Sequence, residues 1–158
     1  MNRQFLVATL LAVAATLQAP ALFANGDSSA SMPRVRTDPD VEAGKAAVRG
    51  KDWKGAIDAF SRVAAKNPKN ADAQNWLGYS YRKSGDLDTA FKYYNEALRL
   101  DPKHRGAHEY IGEAYLMKGD VDKAKEHLAA LDRLCFFGCE EFSDLKKAIS
   151  EYEKQSQK

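Results

Sequence analysis

The 158-residue chain has no strong excess of charge: 24 Lys and Arg face 22 Asp and Glu, a formal net charge of +2. Phosphate binding draws on a marked basic excess, so nucleic acid is not an expected partner. Beyond the N-terminus the chain lacks long apolar runs, and nothing there approaches the roughly 20 residues of a membrane-spanning helix. Catalytic signatures are also missing. There is no glycine-rich phosphate loop, no Gly-x-Ser-x-Gly elbow and no His-Glu-x-x-His helix. The acidic residues are spread at spacings that fit helix caps and salt bridges. No enzyme activity and no cofactor are therefore expected. What is present, 44% hydrophobic and 29% charged residues, suits a soluble helical protein long enough for one domain with a real core.

Residues 1–24 hold one basic residue, Arg3, then an apolar stretch from Phe5 to Leu17, then small residues at Ala19, Ala21 and Ala24. This order predicts a cleaved secretory signal, with cleavage after Ala21 or Ala24. Its apolar core of about 13 residues is short for a permanent span, so no stable membrane insertion is expected after removal. Residues 25–36 are small and polar, interrupted by Pro33, and read as a flexible leader.

The stretch Ala71 to His104 organises the rest. It reads as two amphipathic helices joined by a turn at Ser84-Gly85-Asp86 and stopped at Asp101-Pro102. Sliding the chain by 34 residues superposes Gly44, Gly78 and Gly112, then Ala56, Ala90 and Ala124. Phe60, Tyr94 and Leu128 form a third set, and Asp52, Asp86 and Asp120 a fourth. On these residues the chain resembles the tetratricopeptide-repeat family. The resemblance implies an all-α, right-handed α-solenoid over residues 37–155. Its three helix–turn–helix repeats would cover about 37–70, 71–104 and 105–136, with a capping helix over about 140–155. The first repeat is degenerate at Asp40, Val41 and Ala43, and in the third Phe136 stands where the stop proline belongs. Phe142, Leu145, Ile149 and Tyr152 form the apolar stripe of the capping helix, with Lys146, Lys147, Glu151 and Lys154 on its wet side.

In this family the first helices of the repeats line a concave groove for an extended peptide or a partner's helix. The corresponding positions here are Lys45, Arg49, Asn75, Trp76, Tyr79, Arg82 and Lys83, then Glu109, Tyr110, Glu113, Leu116 and Met117. The expected groove is basic and aromatic at one end, acidic and apolar at the other. Tyr79 and Arg82 are expected to be partly exposed; Trp76 and Tyr110 either face a ligand or pack between helices. Some relatives hold a terminal carboxylate with a Lys–Asn–Asn–Lys–Arg clamp. Its places are Val41, Lys45, Trp76, Gly106 and Tyr110 here, so that clamp is absent.

Cys135 and Cys139 flank Phe136-Phe137-Gly138. Two cysteines in an exported chain are expected to pair, and residues four apart in a helix lie about 6 Å apart, within disulfide reach. The bland reading is a staple between the third repeat and the capping helix, with both phenylalanines partly buried. The sharper one is a redox or copper-binding dithiol. His104 and His108 are four apart, but His104 falls in a turn and no third ligand is compelling. They are read as solvent-exposed, and His127 carries no separate signal. The reading that results is a non-enzymatic module that binds a protein or peptide, an assembly factor of a bacterial cell envelope in the periplasm. The dithiol carrier is the alternative, and self-association of the chain is a further option.

Overall fold

The computed structural model describes residues 37–156. The expected signal (1–24) and leader (25–36) lie outside the described residues. Seven helices follow: α1 (Pro39–Arg49), α2 (Trp53–Lys66), α3 (Ala71–Ser84), α4 (Leu87–Leu100), α5 (Arg105–Met117), α6 (Val121–Leu134) and α7 (Glu140–Ser156). Among the described residues there is no strand, and no helix is long and apolar enough to cross a membrane.

The 34-residue period fixes where the helices start. Asp52, Asp86 and Asp120 each accept a hydrogen bond from the backbone N–H three residues on, which satisfies a donor that the first turn leaves free. Asn70 and His104, also 34 apart, cap α3 and α5 through Oδ1 and Nδ1. The period also sets the turns. Gly85 and Gly119 take φ of +97° and +81°, a conformation that costs glycine nothing. One period earlier the same place is held by Lys51 at φ +58°, which strains an L-residue. The weakness of the first repeat thus extends beyond the small residues of α1, where Gly44 alone is buried.

α1 packs on α2, α3 on α4 and α5 on α6, and each pair stacks on the next. Close approach within a pair rests on glycine. A Cβ at Gly44 would lie 2.6 Å from the Phe60 ring, and one at Gly78 would lie 2.5 Å from Tyr94. The third repeat departs from this pattern. The first atom a Cβ at Gly112 would meet is in Leu145 of α7, at 2.6 Å, rather than in Leu128. The capping helix therefore inserts its own leucine where the earlier repeats use an aromatic ring.

The core clusters bridge neighbouring repeats: Phe60 with Leu77, Tyr94 with Ile111, and Leu131 with Leu145 and Ile149. Phe60, Leu77, Tyr94, Ile111, Leu131 and Leu145 are all fully buried. Each contributes on the order of 1.5–3 kcal/mol by burial, so repeats that could not fold alone hold each other. Lys146, Lys147, Glu151 and Lys154 are exposed on the far side of α7.

Candidate functional site

The first helices of successive pairs lie side by side, α3 against α5 and α5 against α7. Their shared face carries a run of aromatic rings. Trp76 stacks on Phe60 at 5.5 Å and meets Tyr79 edge-on at 5.7 Å. Tyr79 also meets Trp53 at 6.2 Å and Tyr110 at 4.9 Å. Trp76 and Tyr110 therefore pack between helices while staying half-buried and lining the surface depressions described below.

Arg82 overturns one expectation. It is 6% exposed rather than partly open. Its guanidinium lies 5.3 Å from the centre of the Tyr79 ring and 5.5 Å from that of Tyr110. Nη1 pairs with Glu113 at 2.5 Å, and Nε donates to the Tyr94 hydroxyl at 3.2 Å. The reason is that α5 brings Tyr110 and Glu113 over the last turn of α3, so a position counted as groove surface is roofed by the next repeat. Burial opposes the charge of Arg82, but Tyr94 and Glu113 outweigh it and hold its pKa above the ordinary arginine range. Burial pushes the Tyr110 phenol up to about 12, with Glu109 adding to the effect. Arg82 is thus a strut between repeats, and Lys83 beside it is the exposed cation, 5.9 Å from the Tyr79 ring.

Two adjoining depressions share Asp72 and Trp76. The first, about 250 Å³, has apolar walls of Val41, Phe60, Val63, Ala73 and Trp76, with Lys45 at its side. The second, about 300 Å³, lies among α3, α5 and α7 and is acidic. Asp72, Glu109, Glu140, Glu141 and Asp144 line it, together with Asn75, Gly106 and Tyr110. Arg105 pairs with Glu141 at 3.4 Å, and the His104 Nε2 lies 3.0 Å from Asp72. Among the described residues, Glu109, Glu140 and Asp144 have no cationic side chain within 4.0 Å. Burial, then the charges of Glu113, Asp144 and Glu141, push the Glu109 carboxyl up to about 8.

Of the residues singled out from the sequence, the structure brings Asn75, Trp76 and Glu109 together in the acidic depression. It joins Tyr79, Arg82 and Glu113 in the strut. Lys45 borders the apolar depression, and Arg49 is exposed on α1 without lining either hollow. Met117 is 56% exposed and sits with Leu116 and Tyr152 in a separate shallow hollow between α5 and α7. Sequence reasoning missed Glu140, Glu141 and Asp144, because α7 was treated as a cap alone. A signal existed: advancing Gly106 and Tyr110 by one more period lands on Glu140 and Asp144.

Cys135 and Cys139 are joined by a disulfide with Cα atoms 5.6 Å apart. Cys135 caps the end of α6 and Cys139 precedes α7, so the bond closes the turn between them. As a disulfide the sulfurs are not thiolates. Phe136 and Phe137 are 89% and 96% exposed rather than partly buried, because the five-residue loop points them away from both helices. The histidines also differ from expectation. His104 is a helix cap with a side chain only 12% exposed. The His108 Nε2 lies 3.0 Å from the Pro102 carbonyl and can only donate to it, which leaves Nδ1 to accept from His127 Nδ1–H, also at 3.0 Å. Burial, then His108, hold His127 down to about 4.

Two family models, both described as tetratricopeptide repeat, match residues 41–105 and 81–134, and together they span more than half of the chain. No curated protein matches. Among solved structures, the first such domain of Spaghetti (RPAP3) bound to the HSP90 peptide SRMEEVD is similar at TM-score 0.63 and 20% identity, covering 72% of this chain and 91% of that one. The TPR2B domain of yeast Sti1 in its pHsp70 complex is similar at TM-score 0.66 and 19% identity, covering 73% and 94%. MamA from Desulfovibrio magneticus RS-1 is similar at TM-score 0.57 and 26% identity, covering 60% of this chain and 54% of that one.

Proposed function

The chain belongs to the tetratricopeptide-repeat family, and from that premise we propose that it is a non-enzymatic binding module holding an extended segment of a partner protein along its concave face. One observation carries this reading: two depressions of about 250 and 300 Å³ run into one another through Asp72 and Trp76, on the face lined by α1, α3, α5 and α7. A trough with an apolar half and a charged half accepts successive side chains of one strand of chain, as peptide grooves do. Similar domains of the same fold are solved with peptide segments of HSP90 and HSP70 bound.

The setting proposed is the periplasm of a bacterial envelope, where the module acts as an assembly factor. The sequence of residues 1–24 and the paired cysteines support this, since disulfides persist in oxidising compartments. The test is affinity capture from an envelope fraction with the exported protein as bait, followed by titration of the captured partner with a Tyr79→Ala variant. Tyr79 presents a half-buried ring between Trp76 and Tyr110, and losing such a contact typically costs about 2 kcal/mol, or roughly 30-fold in affinity. Unchanged affinity with intact helicity would contradict the groove reading.

A rival reading, a redox or copper-carrying dithiol, draws on the half-buried sulfurs in an exposed turn. Thiol counting separates the two. A pair that stays oxidised under mild reductant supports the staple, and a readily cycled pair supports the carrier.

A further inference from the structure

The acidic depression differs from a basic site for terminal carboxylates. Five carboxylates face it, from Asp72 on α3, Glu109 on α5, and Glu140, Glu141 and Asp144 on α7. The cations nearby are already engaged, Arg105 with Glu141 and Arg82 with Glu113, and the His104 ring that meets Asp72 caps α5 through an unprotonated Nδ1. A second observation is independent of charge. Asn75 lines the same depression and is 5% exposed, and its amide oxygen Oδ1 is fully buried with no hydrogen-bond partner. A buried carbonyl left unsatisfied costs about 1–3 kcal/mol.

Building on the groove reading above, we infer that this depression is a specificity pocket for a lysine or arginine side chain of the bound protein segment. A terminal ammonium or guanidinium supplies the counter-charge that Glu140 and Asp144 lack and favours ionisation of Glu109, beside the unpartnered Asn75 side chain. The rings of Trp76 and Tyr110 line the same space and suit the apolar stem and cationic head of such a side chain. Burial first, then the charges of Glu113, Asp144 and Glu141, raise the Glu109 pKa, and a bound cation relieves the second of these causes. A compact metal site fits less well. Among the described residues, no three of these carboxylates bring their oxygens within 4.8 Å of one another. The adjoining apolar depression shares Trp76 and Asp72 with this one, so the segment places an apolar residue beside the basic one.

The test is a nuclear magnetic resonance titration of the ¹⁵N-labelled exported protein with three end-capped hexapeptides. They share a leucine and differ at one neighbouring position, which is lysine, norleucine or glutamate. The reporters are the Asn75 side-chain amide and the Gly106 backbone N–H, both at the pocket. The lysine peptide is expected to shift them saturably and to bind at least about tenfold more tightly than the other two. A Glu140→Gln/Asp144→Asn variant, altered at exposed side chains that leave the core intact, is expected to remove most of that preference. Equal binding of the norleucine peptide at these resonances overturns the basic pocket and leaves the groove reading standing. Equal shifts from spermidine or calcium alone overturn the protein segment as occupant. No shift from any peptide overturns the pocket, and a partner cross-linked along the groove in that case would show that the groove itself still binds.

Discussion

Replacing Arg82 with alanine should unfold the seam between the second and third repeats before it alters any ligand contact. The side chain is 6% exposed and bonds to Glu113 at 2.5 Å and to the Tyr94 hydroxyl at 3.2 Å. Removing one partner of a buried ion pair costs about 3–5 kcal/mol, because the other charge is stranded. Glu113 keeps 28% of its side chain exposed, so water repays part of this. Loss of the guanidinium over the Tyr79 and Tyr110 rings adds back about 1 kcal/mol. The net expectation is about 3 kcal/mol. For about 120 structured residues each kcal/mol moves the midpoint by roughly 3–5 °C, so Tm should fall by about 10 °C. Circular dichroism melts of the wild type, Arg82→Ala and an Arg82→Met/Glu113→Gln double variant read this directly. The double variant removes both charges and should recover at least half of the loss. A single variant melting within about 2 °C of wild type would refute the strut and return Arg82 to the groove surface.

Gly78→Leu should destabilise by about 1–3 kcal/mol or more, since a Cβ alone would lie 2.5 Å from the fully buried Tyr94 ring; an unchanged melt would disprove the proposed packing register. Lys51→Gly should do the opposite and raise stability by about 1 kcal/mol, because it relieves φ +58° at the turn where the later repeats carry glycine; a lower Tm would show that Lys51 contributes more than it strains. Glu109 should make the protein lose stability as pH rises. Its folded pKa of about 8 lies above the ordinary 4.5, so its contribution is complete below pH 4.5 and drains away through pH 8. The span is at most about 4–5 kcal/mol, and Glu109→Gln should flatten it in urea titrations between pH 5 and 9. An identical pH slope in the variant would sink the assignment.

What was legible in the sequence was whatever repeats. Three glycines and three capping aspartates recur every 34 residues, and each marks a close helix approach or a helix start, so spacing alone locates it. What was not legible depends on contacts between repeats. Arg82 reads as surface until α5 lays Tyr110 and Glu113 over it. The acidic depression joins α3, α5 and α7, and a helix read as a lid was not counted among the groove walls. His127 gave no signal because its partner His108 lies across the helix pair, 19 residues away. Phe136 and Phe137, expected to be partly buried in a staple between two helices, are exposed because the disulfide-closed turn leaves no helix face for them to cover.

Site-specific photo-crosslinking in cells that make the protein tests most directly whether a partner lies on the concave face. A photoreactive residue would replace Lys45, Asp72 or Glu140 along the trough, and Lys92 or Asn95 on the exposed side of α4 as controls. A further site at Phe136 reports on the exposed loop. One shared adduct is expected from Lys45, Asp72 and Glu140 and none from the α4 sites. Adducts confined to α4 or to Phe136, with the trough positions silent, would contradict it.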